Sequence, residues 1–317
     1  LRSLGKRYTP ANRAGVYVPG GRALYPSTVL MNVVPAVVAG VPRIVMVTPP
    51  GADKTVHPAL LVAAQIAGVD EIYRVGGAQA IAALAFGTET LPAVDVITGP
   101  GNIYVTLAKK RVYGRVGIDS LAGPSEVAVV ADCTAHPEFI AADLLAQAEH
   151  DPMAAAVLIT PDAKLAIDTA QAVQRQLVNH PRQVLTEKAI GNNSLAMVVD
   201  DLPTAFELVN LLAPEHLELE IANPWDWVDK VRHAGAIFLG HYTPEAVGDY
   251  LAGPNHTLPT CGAARFASSL GVETFLKNSS LVEYNREALA EVAEAIAALT
   301  EAEGLPSHGD SVRLRLE

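Results

Sequence analysis

Between residues 14 and 239, short runs of Val, Ile, Leu and Ala alternate with helix-length stretches whose apolar positions recur every three or four residues. The short runs predict strands over 15–18, 44–48, 71–75, 94–98, 126–131, 155–159, 195–199, 217–221 and 236–239. The helical spacing predicts helices over 28–38, 58–67, 78–86, 103–112, 138–149, 163–178 and 203–212. Strand runs that are apolar on both faces, each followed by a helix, predict an α/β fold of mostly parallel sheets with helices on either side.

The stretch Leu121-Ala122-Gly123-Pro124-Ser125 parts two such series, because Gly-Pro interrupts helix and strand alike. It divides residues 1–124 from 125–262, two α/β units of similar size. Their succession hints at an internal duplication, although no residue-level repeat supports one. From about Thr243 the chain turns loop-rich, and 263–317 is expected to form a helical tail. There a helix over 286–302 is expected, capped by Asn285, striped by Leu289, Val292, Ile296 and Leu299, and ended by Gly304. A single helix on a trailing arm needs a surface to cover its stripe, and another subunit would provide one.

Composition narrows the function classes. At 317 residues, half of them hydrophobic, the chain exceeds one ordinary core, which favours two domains. A net charge of −11 without a run of Lys or Arg leaves no basic stripe to displace counterions, so nucleic acid is not expected as a partner. The densest basic triplet, Lys109-Lys110-Arg111, reads as the solvated end of a helix, with phosphate binding as the lesser alternative. Cys133 and Cys261 are the only cysteines and form no CxxC pair, so a disulfide framework is not indicated and a reducing cytoplasm fits. The longest apolar stretch, 29–41, is broken by Asn32 and Pro35 and falls short of a membrane span; nothing at the N-terminus resembles a signal peptide.

Three glycine turns follow predicted strands: Pro19-Gly20-Gly21, Gly76-Gly77 and Gly99-Pro100-Gly101. At the carboxyl end of a parallel strand such a turn lets a phosphate approach backbone N–H groups and a helix dipole. None is GxGxxG, so each is either a tight turn or part of a nucleotide or phosphate site; three along one sheet edge strengthen the second reading and leave both open. Tyr17, Gln79 and Asn102 stand beside them. In the predicted helix 138–149 and just after it, Gln147 and His150 stand three apart, a spacing that puts both on one face suited to gripping a cation, though such a His is more often a surface or satisfied core residue. Asp249 and His308 are further candidate ligands that spacing does not join to that pair. Glu215-His216, read as a loop before the strand 217–221, pairs a carboxylate and an imidazole that suit successive proton transfers near neutral pH.

Nine short runs fall in a specific order: Gly15-Val16-Tyr17-Val18-Pro19-Gly20-Gly21, Val75-Gly76-Gly77-Ala78-Gln79-Ala80, Gly99-Pro100-Gly101-Asn102, Ala122-Gly123-Pro124-Ser125-Glu126, Gln147-Ala148-Glu149-His150, Pro214-Glu215-His216-Leu217, Gly248-Asp249-Tyr250, Gly253-Pro254-Asn255-His256 and Glu303-Gly304-Leu305-Pro306-Ser307-His308. In order and spacing they closely resemble the histidinol dehydrogenase family from Arg13 to the end. The resemblance implies two Rossmann-like units and a tail that reaches into the partner of a homodimer. It implies Gln147, His150, Asp249 and His308 as zinc ligands, Tyr17, Gln79 and Asn102 as NAD contacts, and Glu215 and His216 as the catalytic acid–base pair. Ser125, Glu303 and His216 would line the substrate site together with the metal ligands, Glu303 and His308 completing the neighbouring subunit's site.

The implied reaction is the NAD-dependent four-electron oxidation of L-histidinol to L-histidine through histidinal, with zinc holding the substrate's imidazole and amine. Members of the family usually carry a longer N-terminal region than this chain. Three rival readings remain: a relative acting on another polar alcohol such as a sulfonated propanediol, a zinc hydrolase without a redox cofactor, and a nucleotide-binding regulatory module. Glu303 favours an amino alcohol, and the Glu215-His216 pair with the four ligand positions favours an enzyme.

Overall fold

In the computed structural model, residues 1–20 and 24–317 are described; Gly21 of the first glycine turn lies outside them. They divide into two units, Ala11–Phe275 and a smaller one made of Leu1–Pro10 with Leu276–Glu317.

In the smaller unit, β1 (Arg2–Pro10) pairs antiparallel along its full length with Leu276–Tyr284, Arg2 opposite Tyr284 and Pro10 opposite Leu276. No strand is predicted at either place. Both strands are exposed along most of their length, so there is no alternation between a buried and a wet face to read. The helix Arg286–Ala302 follows, and Asn285 caps it as expected, its Oδ1 accepting the Ala288 N–H at 3.0 Å. Within this chain its stripe is half-covered at Leu289, Val292 and Ile296 and exposed at Leu299. A second helix, Pro306–Arg313, ends the unit.

The larger unit carries two five-stranded parallel sheets. The first contains β2 (Ala14–Tyr17), β3 (Ile44–Val47), β4 (Glu71–Tyr73), β5 (Val96–Thr98) and β6 (Gly117–Ile118), linked by α1 (Pro26–Ala39), α2 (Pro58–Ala67), α3 (Gly77–Phe86) and α4 (Ile103–Val112). The second contains β7 (Glu126–Ala131), β8 (Ala155–Thr160), β9 (Leu195–Val198), β10 (His216–Glu220) and β11 (Ala236–Leu239), with α5 (Pro137–Ala148), α6 (Ala163–Leu177), α7 (Gln183–Asn193) and α8 (Leu202–Leu212) between them. Strand order is β4-β3-β2-β5-β6 in the first sheet and β11-β10-β7-β8-β9 in the second. Numbered by appearance within each sheet, both orders read 3-2-1-4-5, the doubly-wound arrangement. The two sheets are therefore wound alike.

Alternate strand residues feed separate cores on the two faces of each sheet. Val16 and Met46 pack with Val33 and Leu60 on one face of the first sheet, while Val45, Val47 and Ile97 pack with Ile81 and Leu84 on the other. In the second sheet, Val127 and Val129 meet α5, and Ala128, Val130, Leu217 and Leu219 meet Phe206 and Val209 of α8. β10 departs from this pattern. Its remaining positions, His216, Glu218 and Glu220, share the face opposite Leu217 and Leu219, and all three are buried.

Two sequence expectations need correction. Lys109 is not on a solvated helix end: it is 1% exposed, whereas Lys110 and Arg111 are exposed. His150 is not on a helix face with Gln147, because α5 ends at Ala148. Asp151 precedes Pro152, which disfavours helical backbone there, and only a tight turn, His150 N–H to Gln147 carbonyl at 3.2 Å, carries the chain on.

Candidate active site

The site forms where the amino end of β10, α9 (Glu245–Tyr250) and the end of α5 meet. His216 is the first residue of β10 rather than part of a loop, and Glu215 directly precedes it. Both are buried. The residues lead in from Ala213, whose left-handed backbone (φ 52°) turns the chain out of α8. β10 lies beside β7 with His216 opposite Val127, which brings the main chain of Glu126 alongside the pair. The Glu126 N–H donates to Glu215 Oε2 at 3.0 Å, and its carbonyl accepts from His216 Nδ1 at 3.2 Å. That carbonyl fixes the proton on Nδ1 and leaves the lone pair on Nε2, an assignment made from the hydrogen-bond network. Nε2 is buried without a hydrogen-bond partner, 3.7 Å from Glu245 Oε1.

α9 places Glu245 and Asp249 one turn apart on one face. Glu218 Oε1 accepts the Glu245 N–H at 2.8 Å and ties the start of the helix to β10. Gly248 lets the helix lie against the ring of Phe238; a Cβ there would stand 2.5 Å from Cε1. One donor atom each from His216, Glu245 and Asp249 lie within 4.8 Å of one another. The amide of Gln147, fully buried, lies 2.7 Å from both carboxylate oxygens of Glu245. With its nitrogen toward them these are hydrogen bonds, and its oxygen accepts from the Glu126 N–H at 2.8 Å. With its oxygen toward them three oxygens converge, an arrangement that needs a cation or a proton between them. A cavity of about 310 Å³ opens beside the group, lined by His216, Phe238, Asp249, Asn255 and His256 among others.

Burial governs the electrostatics. It pushes the carboxyls of Glu215 and Glu245 well above the usual range, and the charge of Asp249 adds to both. Asp249 itself is raised by burial against the pull of His256 and His150. Burial lowers His150 against the pull of Asp249, and lowers His216 to about 4, with the bond to the Glu126 carbonyl opposing and His150 and His256 reinforcing. His216 is therefore neutral at pH 7. Glu215 Oε2 and His216 Nδ1 are 3.7 Å apart, too far for a hydrogen bond, and burial, which raises the carboxyl and lowers the imidazole, disfavours an ion pair between them. A cation among these donors would bring the carboxyls back down and push the imidazoles further down. The buried, unpartnered Nε2 of His216 beside the carboxylates of Glu245 and Asp249 offers mixed N/O donors of the kind that zinc accepts.

Gln147, His150, Glu215, His216 and Asp249 thus share one neighbourhood, and Ser125 directly precedes Glu126 with its carbonyl accepting from Ala155. Glu303 and His308 lie in the smaller unit, both exposed. Tyr17, Gln79 and Asn102 all lie at the carboxyl edge of the first sheet. Tyr17 ends β2, and its buried hydroxyl accepts the Gly77 N–H at 3.0 Å. Gln79 is exposed in the first turn of α3. Asn102 caps α4, with Oδ1 accepting from Tyr104 and Val105 at 3.1 and 3.2 Å.

Sequence reasoning did not assign roles to Glu126, Glu245 or His256. The run Gly253-Pro254-Asn255-His256 was the available signal for His256, whose charge acts on Asp249, His150 and His216. Glu245 gave none, because α9 is six residues long and contains Gly248.

The family model described as histidinol dehydrogenase matches residues 2–316. A histidinol dehydrogenase of Gloeobacter violaceus is 69% identical over 314 residues, which are 99% of this chain and 71% of that protein. One from a Synechococcus strain is 70% identical over 312 residues, 98% of this chain and 72% of that protein. The crystal structure of histidinol dehydrogenase from Elizabethkingia anophelis superposes with a TM-score of 0.96 at 42% identity, covering 99% of this chain and 72% of that one. With two parallel five-stranded sheets wound in the same order and matches that run almost from end to end, the chain belongs to the histidinol dehydrogenase family.

Proposed function

We propose that the chain oxidises L-histidinol to L-histidine through histidinal in two NAD-dependent steps, as a cytoplasmic homodimer. The observation that carries this reading is His216: a neutral imidazole, its Nδ1 proton fixed on the Glu126 carbonyl, with the Nε2 lone pair turned toward Glu245 and Asp249. No helix among the described residues is long and apolar enough to cross a membrane.

Gln147, His150 and Asp249 would hold zinc, with His308 of a second copy of the chain as the fourth ligand. Ser125 and the second copy's Glu303 would contact the substrate. Tyr17, Gln79 and Asn102 would contact NAD at the edge of a cofactor domain, 1–124; residues 125–262 carry the chemistry and 263–317 the tail. When bound, zinc supplies charge to hold the substrate's imidazole and amine, and NAD accepts hydride. His216 takes the alcohol proton on Nε2 as the first hydride leaves, which yields the aldehyde. Glu215 then takes a proton from the water that adds to that aldehyde. The hydrate loses the second hydride, and the acid is formed. Holding both groups from the main chain of one residue, Glu126, keeps the two proton acceptors in register with a single carbon.

The test is stoichiometric. Purified protein of measured zinc content is given L-histidinol and excess NAD, and NADH is followed by absorbance. Two NADH per histidine are expected; one NADH, or product without NADH, would end this reading.

A further inference from the structure

Lys109 and Asp119 form a buried ion pair that the proposed chemistry does not use. Their side chains are 2% and 3% exposed. The pair does not merely neutralise itself. Lys109 Nζ donates to Asp119 Oδ1 and also to the Gly99 carbonyl at 3.0 Å, while Asp119 Oδ2 accepts the Gly99 N–H at 2.7 Å. Both backbone polar groups of Gly99 are therefore held by one ion pair. Asp119 is held in turn: its Oδ1 accepts the Ser120 N–H at 2.6 Å, and its own N–H bonds the Ile97 carbonyl at 3.2 Å.

Gly99 opens the turn Gly99-Pro100-Gly101 between β5 and the Asn102 cap of α4. Its φ of +108° is open only to glycine, and a Cβ would run into the Tyr17 carbonyl on β2. β2 and β5 are the neighbouring strands at which the order 3-2-1-4-5 reverses, the place where doubly-wound sheets bind ligands. A buried ion pair adds little net stability compared with an apolar pair of the same volume, so what it contributes is geometry.

We propose that Lys109 and Asp119 are positioning residues for the dinucleotide, a clamp that holds the Gly99 turn in its binding conformation before the cofactor arrives. This rests on NAD binding at the edge of the first sheet. A turn already held in place loses little freedom on binding, so the clamp acts on cofactor affinity rather than on the chemical step.

Removing one partner alone strands a buried charge, so the variant of choice is the double change Lys109→Met with Asp119→Asn. NAD affinity is measured by fluorescence titration of the full chain, beside thermal melting and steady-state kinetics. The expected result is a folded protein that binds NAD about tenfold more weakly, the scale of losing one charged hydrogen bond. The KM for NAD should rise in step, while kcat and the KM for histidinol hold. A folded double variant with wild-type NAD affinity overturns the clamp. Gln79→Ala separates the two ideas. If it weakens NAD binding and the double variant does not, the edge of the first sheet still binds NAD and only the clamp is lost. If neither weakens it, cofactor binding at this edge fails and the clamp with it.

Hydrogen exchange on the unaltered protein gives a second test that does not depend on a variant folding. Amides of residues 97–103 should be protected without NAD and change little when it is added. Rapid exchange that becomes protected only with NAD overturns the proposal.

Discussion

Gly248→Ala tests whether the packing of α9 sets the site. A Cβ at this position would stand 2.5 Å from Phe238 Cε1 and 2.9 Å from Cζ. Unbonded carbons settle at about 3.5–4.0 Å, so something must move by roughly 1 Å. Two movements are open, and both reach the site. Phe238 lines the 310 Å³ cavity, and its ring can tip into that space and shrink the room for substrate. Otherwise α9 backs away from β11 and carries Glu245 and Asp249 with it. Overpacking of this kind costs about 1–3 kcal/mol of stability, and a 1 Å misplacement of reacting groups can cost on the order of 100-fold in rate. The variant should therefore fold with a lowered melting temperature and lose far more activity than stability. Zinc affinity by competition with a chromophoric chelator distinguishes the routes: it falls if the helix moves, whereas the histidinol KM rises if the ring moves. A variant that melts lower but keeps wild-type zinc affinity, histidinol KM and kcat would refute the argument.

Glu215→Gln retains an acceptor for the Glu126 N–H but removes a proton acceptor, so histidinal oxidation should fall by about 100-fold or more and histidinol-to-histidinal turnover by much less; equal losses in separately assayed half-reactions would contradict the division of labour. Mixing His308→Asn chains with His150→Asn chains, each inactive alone, should restore part of the activity after re-association, and continued inactivity would rule out a site shared between subunits. Burial, with the charge of Glu220 second, raises Asp143 from 3.8 to about 7. The folded state thus keeps a proton that the unfolded chain gives up, and stability is lost as pH rises from about 4 to 7. Asp143→Asn should remove that loss, so its gain in stability over the parent should be on the order of 2–3 kcal/mol larger at pH 8 than at pH 5. Denaturant curves with the same offset at both pH values would count against it.

Most strands of the larger unit were legible as short aliphatic runs; 126–131 is the clearest case, matched by β7 residue for residue, whereas the two-residue β6 was too short to mark a run. Their order was not, since nothing local to β2 or β5 records that they are neighbours. The antiparallel ribbon was illegible for another reason: Leu4, Tyr8, Leu281 and Val282 are all exposed, so hydrophobicity along it marks no buried side. Within the site, Glu215-His216 stood out as a dipeptide, but their brace at Glu126 comes from a parallel register across about 90 residues of chain. Lys109 could have been read correctly. It follows Val105 by four positions and precedes Val112 by three, and these are the three buried residues of α4. Helical phase outweighed membership of a basic triplet.

The main chain on either side of one residue, Glu126, steadies both members of the acid–base pair through its N–H and its carbonyl. Because main chain does the holding, exchanging the side chain at that position leaves the brace standing; only proline, which has no N–H, would cut one of its two arms. The relative placement of the two groups is thus insensitive to which side chain stands at residue 126.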